Sequence, residues 1–127
     1  MNAELAEWIS KAEGDYVVAT REMRARRDNN YDAVCFHCQQ AVEKYMKAYL
    51  YKNGVDFPKT HNLIDLHELC LLLDGSFEIQ RDLLLELNQY GVRYRYPGIT
   101  AEKDDAKLAM AHLKTVRAFL RTKLGLK

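Results

Sequence analysis

The sequence predicts an all-α fold, an antiparallel up-and-down bundle of four main helices with an additional short helix, in a single domain over residues 1–127. Three observations predict it. Apolar residues recur at the helical period in five stretches. Asn, Asp, Gly and Pro separate those stretches at the places where helices start and stop. No stretch alternates apolar with polar residues in the way a half-buried strand requires.

Asn2 is placed to cap a first helix in which Leu5, Trp8, Ile9, Ala12, Tyr16, Ala19 and Met23 keep the period to roughly residue 25. Gly14 inside it costs up to about 1 kcal/mol relative to Ala, which the packing of Trp8 and Tyr16 outweighs. Arg21, Arg24, Arg26 and Arg27 crowd its C-terminal end, where they oppose the negative pole of the helix or, on a second reading, bind phosphate. Asp28-Asn29-Asn30 breaks this helix and caps the next, which runs to Asn53 and stops at Gly54. So short a connection makes the two helices antiparallel neighbours.

The second helix contains the central stretch, His37 to Leu50. Val34, Cys38, Ala41, Val42, Tyr45 and Tyr49 form one face for burial. Gln40, Glu43 and Lys47 form a neighbouring polar row fenced by Phe36 and Leu50, and Glu43 stands four residues before Lys47, the favourable order for an ion pair. Val55 to Thr60, with Pro58, is a loop. Asn62 caps a third helix carrying Leu63, Leu66, Leu69, Cys70 and Leu73, and Gly75 ends it. Ser76 starts a fourth with Ile79, Leu83, Leu84 and Leu87, ending near Tyr90. Gly91 to Ile99 is a loop, because Pro97 disfavours helical geometry at Tyr96. Thr100 caps the last helix, with Glu102, Asp104 and Asp105 in its first turn and Ala106, Ala109, Met110, Leu113, Val116 and Leu120 on one face.

A net charge of +1 excludes a uniformly basic nucleic-acid coat but not a local patch. The charge is unevenly spread. Residues 61–89 carry six acids and one Arg, whereas everything after Asp105 carries six Lys or Arg and no acid, so the acidic region and the basic last helix are expected to be neighbours, within the chain or in a partner. No apolar run is long enough to span a membrane. The acids among the first twenty residues do not suit a signal peptide, so a cytoplasmic protein is expected, with its three cysteines reduced.

Two stretches carry candidate chemistry. The loop from Tyr90 to Gly98 interleaves Arg93 and Arg95 with Tyr90, Tyr94 and Tyr96; guanidinium forks match phosphate oxygens and phenol rings stack on bases. The alternative is that the rings plug the bundle end and the arginines pair with Glu86, Glu102 or Asp104. Cys35-Phe36-His37-Cys38 invites a metal or redox reading, but only Cys70 is left to complete a zinc set. Helical residues three apart also hold their Cβ atoms farther apart than a disulfide allows. Both cysteines are therefore expected in the core, and no metal or cofactor is expected. His37, His67 and His112 show no partner in the sequence and are assigned packing or surface roles.

Gln39-Gln40-Ala41-Val42-Glu43-Lys44, followed by Lys47-Ala48 and Leu50, resembles the core signature of the HEPN domain family. Thr60-His61-Asn62-Leu63, Tyr90 with Arg95-Tyr96-Pro97, Trp8 in the first helix and Tyr31-Asp32 opening the second agree with it in order and spacing. The resemblance implies a small helical bundle, usually dimeric, that binds nucleotides or RNA beside a nucleotidyltransferase or, in other branches, cleaves RNA. It singles out His61, which either bonds the backbone as a helix-entry residue or faces one pocket with Lys47 and Arg95. In the ribonuclease branches an Arg is followed four to six residues later by a His. Here those distances reach Gly98, Ile99 and Thr100 from Arg93, and Thr100, Ala101 and Glu102 from Arg95, so the family's catalytic pair is absent.

The resulting expectation is a non-catalytic nucleotide- or RNA-binding module, a homodimer, acting with a separately encoded nucleotidyltransferase in a toxin-antitoxin-like pair. Its phosphate-binding candidates are Arg93, Arg95, Tyr90, Tyr94, Tyr96, His61, Lys47, Gln40 and Glu43. Two alternatives stand beside it: a metal-independent ribonuclease with a rearranged centre, pairing Arg93 or Arg95 with His61, and a purely structural dimerisation domain.

Overall fold

Asn2 starts the first helix as its composition suggests, its side-chain oxygen accepting the backbone N–H of Leu5 at 2.8 Å. In the computed structural model, which describes residues 1–127, that helix is α1, Ala3–Arg24. Asn30 caps α2, Tyr31–Lys52, by accepting from the N–H of Ala33 at 3.0 Å, and Gly54 follows its end at φ +70°. Asn62 caps α3, Leu63–Leu73, through the N–H groups of Ile64 and Asp65. The chain continues through a 3-10 stretch, Gly75–Gln80, into α4, Arg81–Asn88, and ends with α5, Lys103–Lys123. All five helices are α-helical and the chain contains no strand.

Two boundaries differ from expectation. Ser76 lies in a 3-10 stretch rather than starting an α-helix, because Asp74 accepts from both its N–H (2.9 Å) and its hydroxyl (2.7 Å) and tightens the turn. At three residues per turn, Phe77 and Gln80 share the buried side, while Ile79, expected in the core, is 77 % exposed. The last helix is capped not at Thr100 but at Glu102, whose N–H donates to Asp105 at 2.8 Å. The chain is already fixed one residue earlier, where the N–H of Ala101 donates to Asp32 at 2.6 Å.

Cross-helix partners give the directions. Asn2 reaches Tyr51, Asp15 reaches His37 and Lys44, and Glu22 accepts from the N–H of Asn30, so α1 and α2 run antiparallel. Along α5, Met110 meets Cys38, Arg117 meets Tyr45 and the carbonyl of Leu124 meets Lys52, so α5 runs parallel to α2. Residues 53–62 do not reverse the chain into a simple up-and-down order. They run back along α2, with Phe57 at 5.9 Å from the ring of Trp8 and the carbonyl of His61 on Gln39. As a result α3 descends beside α2, and α4 returns antiparallel to it, Arg81 on Glu68 and Asn88 on Asn62.

α2 is the centre of the core. Val34, Cys35, Cys38, Ala41, Val42 and Tyr45 have no exposed surface. Burial pushes the Cys35 and Cys70 thiols up to about 12 and raises that of Cys38 too, so all three free cysteines are inert packing groups. Glu13 ties three helices together. It accepts from Arg117 (2.8 Å) and Arg121 (2.7 Å) on α5 and from the hydroxyl of Tyr45 on α2. The basic last helix therefore answers α1 through these two arginines and the acidic region only through Lys123, 2.6 Å from Asp74.

Candidate functional site

Of the polar row on α2, Glu43 and Lys47 are more deeply buried than the sequence suggests, as is the adjoining Gln39, while Gln40 is half-buried. Such groups persist only when bonded, and these are bonded to one another and to the loop before α3. Gln39 donates from Nε2 to the carbonyl of His61 at 2.8 Å, and its Oε1 accepts from Gln40 at 2.7 Å. Glu43 accepts from Lys47 at 3.1 Å, and both of its oxygens lie 3.1 Å from Nδ1 of His61. A carboxylate only accepts, so Nδ1 carries the proton and Nε2 is left for other partners. The His61 ring is otherwise open to solvent, 78 % exposed. Asn88 holds the entry to α3 by accepting from the N–H of Leu63 at 2.8 Å.

A second carboxylate and histidine pair stands a helical turn and a half away. Asp15, buried on α1, lies 2.7 Å from Nδ1 of His37 and 2.6 Å from the ammonium of Lys44. His37, for which no partner is visible in the sequence, finds one on α1.

Two clefts open at this end of the bundle. One, of about 540 Å³, lies between α2, the α3 entry and the loop after α4, lined by Gln40, His61, Asn62, Val92, Phe36 and Arg95. The other, of about 390 Å³, is lined by Asp32, His37, Tyr90, Tyr94 and again Phe36 and Arg95. Both are of the size small-molecule sites have, roughly 300 to 1,000 Å³. Phe36 and Arg95 are the wall between them.

The loop residues divide sharply. The exposed guanidinium of Arg95 has no ion-pair or hydrogen-bond partner and borders both clefts. Arg93 instead donates to Gln89 at 2.8 Å and lies over the Tyr94 ring, and it borders neither cleft. Tyr90 is buried and stacks on Tyr94, centroids 5.9 Å apart; burial, and for Tyr94 also the charge of Asp105, raises both phenol pKa values, so the rings stay neutral. Tyr96 projects into solvent, 70 % exposed, away from both clefts. Neither arginine pairs with Glu86, Glu102 or Asp104.

Of the candidate residues, the fold therefore brings His61, Gln40, Arg95, Tyr90 and Tyr94 to the clefts. Glu43 stands behind His61. Lys47 does not reach the clefts: its ammonium is neutralised by Glu43 and covered by the rings of Trp8 and Phe57, at 5.9 and 6.0 Å. Phe36 and Asp32 also line the clefts without being among the expected site residues, although Phe36 sits four residues before Gln40 and so shares its helical face. No three His, Cys, Asp or Glu side chains converge in a way that would hold a metal ion.

Fold and site define a small all-α domain with an unpaired guanidinium set among aromatic and amide side chains at one bundle end. The family model of the HEPN domain matches residues 5–123, nearly the whole chain, and the chain belongs to the HEPN domain family. Neither a curated protein nor a solved structure matches it. No helix is long and apolar enough to cross a membrane.

Proposed function

We propose that this HEPN domain is a non-catalytic binding module that holds a phosphate of a nucleotide or RNA on Arg95, between the two clefts. The observation that supports this most is the unpaired, exposed Arg95 bordering both. Elsewhere in the chain the arginines near acids find them, as Arg117 and Arg121 do at Glu13. A guanidinium left free in a concave, ring-lined site suits a phosphate oxygen pair. The domain works with a separately encoded nucleotidyltransferase, as in toxin-antitoxin pairs, and acts as a cytoplasmic homodimer. Titration calorimetry with ATP and with a short single-stranded RNA, on wild type and Arg95→Ala, tests the binding: equal heats from both proteins would remove the site. Light scattering tests the dimer, and co-purification with a co-expressed nucleotidyltransferase tests the partnership.

A second reading rests on the Glu43 and His61 pair. A histidine whose Nδ1 is held by a buried carboxylate has the arrangement of a general base, and it shares a cleft with Arg95. On this reading the domain is a metal-independent ribonuclease with a rearranged centre. Chelator-resistant cleavage of single-stranded RNA, lost in His61→Ala, would establish it over the binding module.

A further inference from the structure

We infer that the ligand favoured by this bundle end is one step of a single RNA strand, two nucleosides joined by a phosphodiester, with the phosphodiester on Arg95 and one nucleoside in each cleft. This rests on the binding reading above and narrows it from nucleotides in general to an internal position of a strand.

The charge in the clefts decides against a mononucleotide with a phosphate tail. Arg95 is the one Lys or Arg bordering either cleft, and it sits on their common wall. A di- or triphosphate carries several charges and is bound where several cations or a metal meet it. Here its tail would extend from Arg95 into one cleft or the other. In the smaller cleft it would meet the carboxylate of Asp32, which the N–H of Ala101 holds in place at 2.6 Å. In the larger it would meet no lysine or second arginine, since Lys47 is paired with Glu43 away from the cleft. One guanidinium between two clefts without further fixed cations matches the single charge of a phosphodiester.

The linings match nucleosides. The smaller cleft offers the ring of Phe36 for stacking, a wall in Tyr94, whose own ring is already stacked on Tyr90, and Asp32 as an acceptor for base amino groups. In the larger cleft two amide groups are left over from the internal network. Gln40 spends its Nε2 on Gln39 and Glu43, so its Oε1 is free to accept, as from a ribose 2′-hydroxyl. Asn62 spends its Oδ1 on the α3 cap, so its Nδ2 is free to donate. Because Phe36 stands between the clefts, the two bases are held unstacked from each other, a geometry open to a single strand and closed to a duplex.

The test is calorimetric titration of the full chain with adenylyl-(3′→5′)-adenosine, its deoxy counterpart, AMP, ATP and inorganic phosphate. The dinucleotide is expected to bind at least tenfold more tightly than AMP, and ATP no more tightly than AMP. Gln40→Ala and Tyr94→Leu, on opposite sides of Arg95, should each weaken the dinucleotide several-fold, and Asp32→Asn should selectively improve ATP. AMP or ATP binding as tightly as the dinucleotide would overturn the two-cleft assignment while leaving nucleotide binding intact. Equal binding of the deoxy form would overturn the ribose contact of Gln40. No binding by any of them would remove both the inference and the function on which it rests. Circular dichroism of each variant separates loss of contact from loss of fold.

Discussion

Both carboxylate oxygens of Glu43 lie 3.1 Å from Nδ1 of His61, and the same carboxylate is the sole counter-charge of buried Lys47. One residue thus orients a cleft side chain and neutralises a core cation. Removing its charge strands Lys47 in the core, for which breaking a buried pair is the relevant comparison. Glu43→Gln is expected to lower stability by about 3 kcal/mol in urea unfolding. Glu43→Gln with Lys47→Met should recover most of that loss, because no lone charge remains. If the double variant is no more stable than the single, the ion pair is not what holds this row together.

Gly14 lies in the middle of α1 on an exposed face, and a Cβ built there meets nothing within 4 Å. Its conformational freedom serves no turn or close approach. Gly14→Ala should therefore stabilise the protein by up to about 1 kcal/mol, through reduced unfolded-state entropy and better helix propensity. Thermal unfolding reads the gain as a higher Tm with unchanged far-UV dichroism.

His67 is fully buried on α3 and neither of its ring nitrogens has a partner. Burial, reinforced by nearby Arg81, lowers its pKa from 6.5. The unfolded chain then takes up this proton more readily than the folded one. The contribution is complete above about pH 6.5 and is lost as the pH falls below it. His67→Leu should flatten that part of the stability profile. It forfeits no hydrogen bond, so stability at pH 7 should hold or rise by on the order of 1 kcal/mol. An unchanged slope between pH 7 and 5 would refute the assignment.

Asp74 shows the same sign at lower pH. Its hydrogen bond from Lys123, helped by those from Ser76, pulls its pKa down from 3.8 to about 2. Its contribution is present above pH 3.8 and disappears as the pH falls toward 2. NMR titration should find this carboxylate the last to protonate in that region, and Asp74→Asn should shallow the acid limb of the stability curve.

The all-α class, the Asn2, Asn30 and Asn62 caps, and the centrality of α2 were legible because they depend on local chemistry and on period. The return of residues 53–62 along α2 was not, since it is fixed by Phe57 on Trp8 and by His61 on Gln39, partners 49 and 22 residues distant. The 3-10 turn was hidden for a related reason. Ile79 and Phe77 are equally apolar, and only the pitch chooses between them. At the site, the sequence singled out the Arg and Tyr loop but could not rank its members. Arg93 and Arg95 have the same chemistry, and what separates them is that Gln89, one turn before Arg93, takes one guanidinium and nothing takes the other.

That difference yields the sharpest prediction about the loop. If the free guanidinium is the phosphate ligand, Arg95→Ala should weaken RNA binding at least tenfold. Arg93→Ala, which removes a side chain already committed to Gln89 and Tyr94, should change it less than threefold. Arg95→Lys is the finer test. It keeps the charge but loses the planar fork, so it should restore only part of the affinity while leaving the salt dependence near that of wild type. Fluorescence anisotropy with a labelled single-stranded oligonucleotide at two salt concentrations reads all three variants. Equal losses from Arg93→Ala and Arg95→Ala would mean that the loop attracts RNA as a diffuse basic patch, and the clefts on either side of Arg95 would then have no part in holding it.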